Sequence, residues 1–248
     1  MGEKIAGFFS NDSPFGQFMI RVGILIVSSI LFAVTTVPIV TIGPGLAALY
    51  TVMLKVIRGD RELGAFRTFW KAFAANFRQA FFTGLVFLAL AFLVYADIRF
   101  CRAQGGSYAY FGWAVILVGL FIAAVAAYFY PVLAAFDDTV PHLLRNALFF
   151  ASRRPLKMLL VLAIDVIPLY LTYRNRMYLP LTGFLWVVIG YGLTAYVVSA
   201  LLVKDFAAYL PKVNEEGSFV DGEGNLLTRE EANAAAREER EGGEEDCR

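Results

Sequence analysis

The stretch that decides the fold runs from Pro38 to Arg78: PIVTIGPGLAALYTVMLKVIRGDRELGAFRTFWKAFAANFR. Pro38 ends a preceding apolar helix, and TIGPG predicts a turn into a short second helix. Gly59 breaks that helix after a basic end, and an aromatic amphipathic helix follows. We expect the rest of the chain to form hairpins around this element. The turn and structural residues are Pro38, Gly43, Pro44, Gly45, Tyr50, Lys55 and Gly59.

The helix predicted over Phe66–Gln79 has an aromatic flank beside a cationic flank when plotted at 3.6 residues per turn. This pattern is typical of an elbow helix in the membrane interface, with rings toward the acyl chains and cations at anionic headgroups. The alternative is a helix packed on the protein's own core with a solvated basic face. The residues predicted to contact lipid or a partner are Arg67, Trp70, Lys71, Asn76, Arg78, Arg145 and Asn146.

Composition predicts a membrane protein of the all-α class. The chain of 248 residues is 58% hydrophobic and only 17% charged, whereas soluble domains carry about 25% charged residues. Residues 1–212 hold 18 Lys and Arg against 9 Asp and Glu, and residues 213–248 hold 4 against 12. We therefore expect a membrane domain over 1–212 and an acidic, mostly disordered tail over 213–248. Nucleic acid is not an expected partner, because the basic residues flank apolar spans.

Apolar runs of spanning length predict a polytopic helical bundle of six spans in three hairpins, joined by cytoplasmic amphipathic elbows. A second elbow is expected over residues 137–157. The second span is short, so the alternative is five spans with that segment partly re-entrant. The six runs cover residues 17–37, 46–57, 80–96, 108–136, 158–173 and 181–203.

The distribution of Lys and Arg predicts the orientation. With six spans and both termini in the cytoplasm, cytoplasmic segments hold 14 of these residues and outside loops hold 4. The five-span alternative puts the N-terminus outside and changes the count to 12 against 6. Both arrangements keep the elbows and the tail in the cytoplasm.

Asp165 is the sharpest single feature, because it lies near the middle of the fifth span in LLVLAIDVIPLY. A charge at this depth costs about 2.5–3.5 kcal/mol on insertion scales. One interpretation is a site for a substrate, a proton or a partner helix. The other is a structural hydrogen bond to a Tyr, Ser or Thr of another span. No catalytic, cofactor or metal constellation is apparent, and His142 and Cys101 have no ligand-like neighbours in sequence.

Three segments, SPFGQFM, VPIVTIGPGLAALYTVMLKVIRG and FRTFWKAFAANFRQAF, resemble the YesL family of bacterial integral membrane proteins. YFYPVLAAFDDTVPHLLRNALFFASRRPLKMLLVL is similar to the family's second signature region. The resemblance implies a multi-pass protein of the bacterial cell membrane, of unknown activity, linked to carbohydrate utilisation. It favours a non-enzymatic accessory component that contacts sugar ABC-transporter permease subunits. A homo-oligomer is a further candidate assembly, and the alternative function is a small stand-alone transporter or channel with Asp165 in its pathway.

Overall fold

The computed structural model describes residues 14–59, 64–106, 108–136, 138–174, 177 and 179–206, and the strand pairs 212–213, 219–220 and 226–227. Its helices are α1 (Pro14–Thr35), α2 (Ile42–Arg58), α3 (Ala65–Gln104), α4 (Tyr108–Ala135), α5 (Val140–Arg153), α6 (Pro155–Arg174), α7 (Leu179–Leu185) and α8 (Tyr191–Phe206). A 3₁₀ turn, Ile39–Thr41, precedes α2, and a π-helical turn, Trp186–Gly190, joins α7 to α8.

The prediction of an all-α polytopic bundle is confirmed. The described part of the chain contains six helical segments long and apolar enough to cross a membrane. Their mean hydropathy lies between 1.6 and 2.3. These segments are Phe15–Thr35, Ile39–Arg58, Ala65–Gln104, Tyr110–Ala135, Pro155–Arg174 and Leu179–Phe206.

The second span is longer than the sequence predicts, and the turn before it is shorter. Ile39–Arg58 contains 20 residues, about 30 Å of helix, which matches the thickness of a bilayer core. Gly43, Pro44 and Gly45 are not a turn but lie in the first turn of α2. Proline is tolerated there because the first N–H groups of a helix have no intrahelical partner. The full-length second span favours six spans over five.

Helix α2 forms the centre of the membrane unit and packs against α1, α3 and α4. Eleven of its 17 residues are buried, from Gly43 to Val56. The helix ends as predicted at Gly59, whose φ of 83° lies in the left-handed region that favours glycine at a helix C-terminus. Lys55 is exposed in the last turn. The stretch from Pro38 to Gly59 is therefore central to the fold, although its GPG segment is helix rather than the predicted turn.

The first elbow and the third span form one helix. Helix α3 runs for 40 residues from Ala65 without a break at residue 79, because the sequence between Gly64 and Gly84 contains no glycine or proline to interrupt it. Its length is about 60 Å, roughly twice a bilayer core. One end of α3 therefore extends beyond the apolar layer.

The second elbow is a separate helix, α5, as predicted. Asp137, expected at its start, lies outside the described residues.

The last span carries a feature that the sequence does not predict. Its helix widens into a π-helical turn at Trp186–Gly190, and π turns often occur at functional positions in helices.

Residues 200–248 form a compact unit of their own. That unit contains an antiparallel sheet of three two-residue strands, β1 (Lys212–Val213), β2 (Phe219–Val220) and β3 (Leu226–Leu227). The predicted disorder of the acidic tail otherwise falls outside the described residues.

Candidate functional site

Asp165 lines a cavity of about 380 Å³ inside the membrane unit. Helix α6 carries this residue near its middle, about 15 Å from either end at ~1.5 Å per residue. Helices α1, α2, α4 and α8 and the π turn supply the other walls. Apart from Asp165, the polar or aromatic side chains that line the cavity are Phe32, Tyr50, Tyr130, Trp186, Tyr191 and Thr194. The structure thus brings one carboxylate together with an aromatic set from four other parts of the chain.

The carboxylate of Asp165 lacks a protein partner in the described structure. No hydrogen bond or ion pair reaches it from any residue that the structure describes. Tyr50 is 5% exposed and lies within electrostatic range of Asp165. The structural hydrogen bond that the sequence offers as one interpretation of Asp165 is therefore not observed among these residues. Asp165 remains free to interact with a group that enters the cavity.

The indole of Trp186 is held in place by a hydrogen bond of its own. Its Nε1 donates to Thr172 Oγ1 of α6 at 2.9 Å. The Trp186 carbonyl accepts a hydrogen bond from Ser29 Oγ at 3.3 Å, and Ser29 Oγ in turn accepts one from the Gly192 backbone N–H at 3.1 Å. The π turn is therefore tied to both α1 and α6. Because its N–H is already used, the indole offers the cavity its ring rather than a donor.

Three rings form a continuous aromatic wall of the cavity that Asp165 also lines. The centroids of Phe32 and Tyr191 are 5.0 Å apart in an edge-to-face arrangement, and those of Trp186 and Tyr191 are 5.2 Å apart. These separations are typical of favourable aromatic pairs. The three rings therefore pack on one another, and each carries a negative π face.

A larger apolar cavity of about 580 Å³ lies next to the first one. It runs between the N-terminal end of α2, the middle of α3 and α4. Leu46, Ala123, Ala126 and Tyr130 line both cavities. Tyr130 places its hydroxyl against the backbone of Gly43 and Gly84, where added Cβ atoms would lie 3.2 and 3.3 Å from it. The shared wall is thus built of aliphatic side chains and one tyrosine.

The predicted lipid or partner residues of α3 are exposed, apart from the half-buried Asn76. Arg67, Lys71 and Arg78 are exposed, and Trp70 beside them is 40% exposed. Phe69, on another side of the helix, is fully buried. The helix therefore has a core-facing stripe as well as a free basic and aromatic surface. We call Arg67, Trp70, Lys71 and Arg78 with Phe66 and Phe77 the basic–aromatic surface.

The positions of the other residues predicted from sequence give less support for a contact with lipid or a partner. Asn76 donates its Nδ2 to the Ala72 carbonyl at 3.2 Å, which is a bond within α3. Arg145 is exposed and Asn146 is half-buried, both on α5. Pro38 and Lys55 are exposed, and Gly43 to Gly45 are buried. Tyr50, grouped by sequence with the turn, is instead a wall of the Asp165 cavity.

Metal-ligating side chains do not cluster in the described ranges, where no group of three His, Cys, Asp or Glu is found. His142 is exposed on α5, and Cys101 is a buried free thiol in α3. Cys247 lies outside the described residues.

Trp186 and Tyr191 line the cavity but were not predicted from the sequence to do so. The signal that was present is a Trp and a Tyr flanking Gly190 in an otherwise aliphatic span.

Six helical segments of spanning length, five of which line a cavity that holds one carboxylate, define a multi-pass helical membrane protein. Within it, residues 25–98 match the family model described as "Protein of unknown function, DUF624". The chain is 28% identical over 155 residues to "Uncharacterized protein YesL" of Bacillus subtilis (strain 168), covering 60% of this chain and 70% of that protein. The resemblance to the YesL family is therefore confirmed.

A second relative supports this resemblance over a shorter length. The chain is 26% identical over 94 residues to "Uncharacterized protein YteU" of the same organism, which is 38% of this chain and 42% of that protein. No solved structure matches the chain. The segment matched by the family model includes the second half of α1, all of α2 and most of α3, while Asp165 and Trp186 lie outside it.

Proposed function

We propose that this protein is a non-enzymatic accessory component of bacterial carbohydrate uptake, located in the cell membrane with both termini in the cytoplasm. The link to carbohydrate utilisation comes from the resemblance to the YesL family. The orientation follows from the excess of Lys and Arg in the segments expected to be cytoplasmic. The expected partner is the permease part of a sugar ABC transporter.

The basic–aromatic surface of α3 is the observation that carries this proposal. Arg67, Lys71 and Arg78 project from the helix beside Phe66 and Trp70, which are 61% and 40% exposed. Tryptophan and arginine are enriched at protein interfaces, where rings supply buried area and cations supply selectivity. Because α3 exceeds the bilayer core in length, this end of the helix reaches a level where a permease's cytoplasmic loops are accessible.

Uptake measured in two settings tests the accessory role. In cells that carry the gene and its neighbouring importer, deletion of the gene is expected to slow uptake of the importer's sugar. Purified protein alone in proteoliposomes is expected to move none of that sugar. Unchanged uptake after deletion, with expression of the importer verified, would contradict the proposal.

A stand-alone transporter or channel is the second candidate, and the Asp165 cavity is the observation that favours it. Polar residues at bilayer depth commonly mark substrate or ion pathways. Under this alternative, proteoliposomes with purified protein take up a solute, and Asp165→Asn abolishes the uptake while leaving reconstitution unchanged. Absence of solute movement under imposed ion and solute gradients would remove this candidate.

A further inference from the structure

The geometry points to the Asp165 cavity as a binding site for a small organic cation, an ammonium group carrying alkyl substituents. This inference does not rest on the proposed accessory role. It rests on three features of the described residues: a carboxylate without a hydrogen bond or ion pair, an aromatic wall in the same cavity, and otherwise apolar lining. Together these features select one class of ligand.

The carboxylate sets the sign of the ligand's charge. Asp165 has no hydrogen bond or ion pair with any described residue, and an ionised carboxylate in an apolar span is costly without a partner. A ligand with a single positive charge would provide the ionic partner that no described residue provides. A cavity of about 380 Å³ is large enough for a small molecule.

The aromatic wall favours the same charge. The π faces of Trp and Tyr attract cations, and Trp is the strongest of the aromatic residues in this respect. The hydrogen bond of 2.9 Å from Trp186 Nε1 to Thr172 Oγ1 fixes the indole and removes its donor. Tyr191 packs against the indole at 5.2 Å and extends the wall. Ammonium recognition by such rings requires an ordered wall, and these contacts provide it.

The apolar lining argues against a sugar in this cavity. Leu46, Leu49, Leu162, Val166, Leu169 and several alanines make up most of the remaining wall. A sugar presents many hydroxyl groups, each of which loses free energy when buried without a partner. Alkyl substituents on an ammonium group instead suit these aliphatic walls. The occupant is therefore a cation with an apolar periphery.

The test compares choline with 3,3-dimethyl-1-butanol, a neutral molecule of the same shape. Purified full-length protein in mild detergent is titrated with each compound and with glucose, by isothermal titration calorimetry and thermal unfolding at constant ionic strength. Choline is expected to bind saturably and to raise the unfolding midpoint. The neutral compound is expected to bind at least tenfold more weakly, and glucose not at all. Equal binding of choline and its neutral counterpart would overturn the inference.

Variants assign the binding to this cavity. Asp165→Asn and Trp186→Leu are each expected to weaken choline binding at least tenfold, while Asp165→Glu and Trp186→Phe retain part of it. Circular dichroism and gel filtration verify folding of each variant. If Asp165→Asn does not fold, the inference is tested by choline binding to Asp165→Glu and by the comparison of choline with 3,3-dimethyl-1-butanol on wild-type protein. Wild-type affinity for choline in a folded Asp165→Asn or Trp186→Leu protein would overturn the assignment.

Discussion

Gly43 of α2 lies against the backbone of Ala80 in α3, so closely that a Cβ at position 43 would be 2.3 Å from the Ala80 carbonyl oxygen. Real Cβ atoms do not approach a carbonyl oxygen to this distance, so only glycine allows the two helices to cross here. The same crossing brings Gly43 to the hydroxyl of Tyr130, a residue shared by both cavities. The α2–α3 crossing therefore positions a wall of the candidate site.

Gly43→Ala is expected to destabilise the protein by about 1–3 kcal/mol, the usual cost of forcing extra volume into a packed interior. The matched control is Gly23→Ala in α1, where an added Cβ meets no atom within 4 Å. That substitution is expected to leave stability unchanged or slightly raised, because alanine favours helix. Thermal unfolding in detergent compares the two variants. A Gly43→Ala protein as stable as wild type would show that α2 and α3 separate easily.

Gly59→Ala is expected to cost about 1–2 kcal/mol because the residue has a φ of 83°, which is strained for any residue with a Cβ. Gly64→Ala is the control, since Gly64 has a φ of −75° and precedes α3. The measurement is again the unfolding midpoint in detergent. Similar midpoints for both variants would contradict the role of Gly59 as a conformational stop between the second span and α3.

The six-span arrangement predicts which side of the membrane each loop occupies. Alkaline phosphatase fused after Val37 is expected to be active, because that position then lies outside the cell. A fusion after Gly105 is expected to be active as well, and green fluorescent protein at the C-terminus is expected to fluoresce. The five-span alternative puts Val37 in the cytoplasm, so an inactive Val37 fusion with an active Gly105 fusion would support that alternative instead.

Charge reversal tests the basic–aromatic surface. Arg67→Glu combined with Lys71→Glu is expected to reduce recovery of a permease partner about tenfold, which corresponds to about 1.4 kcal/mol. Arg99→Glu with Arg102→Glu is the matched control, because these two exposed arginines lie near the other end of the same helix.

Membrane fractionation checks that both double variants insert equally well. Equal losses in the two would point to a general effect of charge on the protein. A loss of anionic-lipid binding with intact partner recovery would assign the surface to the bilayer.

Hydropathy and helix-ending residues predict the architecture well, because burial in lipid demands long apolar helices regardless of how they pack. The break at Gly59, the separate second elbow and the six spans all follow from local sequence. The first elbow (Phe66–Gln79) and the third span (80–96), predicted as separate segments, form one continuous helix because no glycine or proline stands near residue 79 to end α3. The sequence predicts a turn at the GPG segment, yet the first turn of a helix accommodates the same residues.

The candidate site is only partly predictable for a different reason. Asp165 is conspicuous by itself, since a carboxylate in an apolar span is rare. Its neighbours Tyr50, Trp186 and Tyr191 come from helices distant in sequence, and periodicity does not indicate which helix faces meet. The π turn that orients Trp186 depends on bonds to Ser29 and Thr172, which are tertiary contacts.

Affinity purification of the native protein in mild detergent, followed by mass spectrometry of the proteins recovered with it, tests the accessory role most directly. Permease subunits of a sugar importer are expected to be recovered with wild-type protein and to be depleted with the Arg67→Glu, Lys71→Glu variant. Recovery of the protein only as a homo-oligomer, with the importer expressed in the same cells, would contradict it.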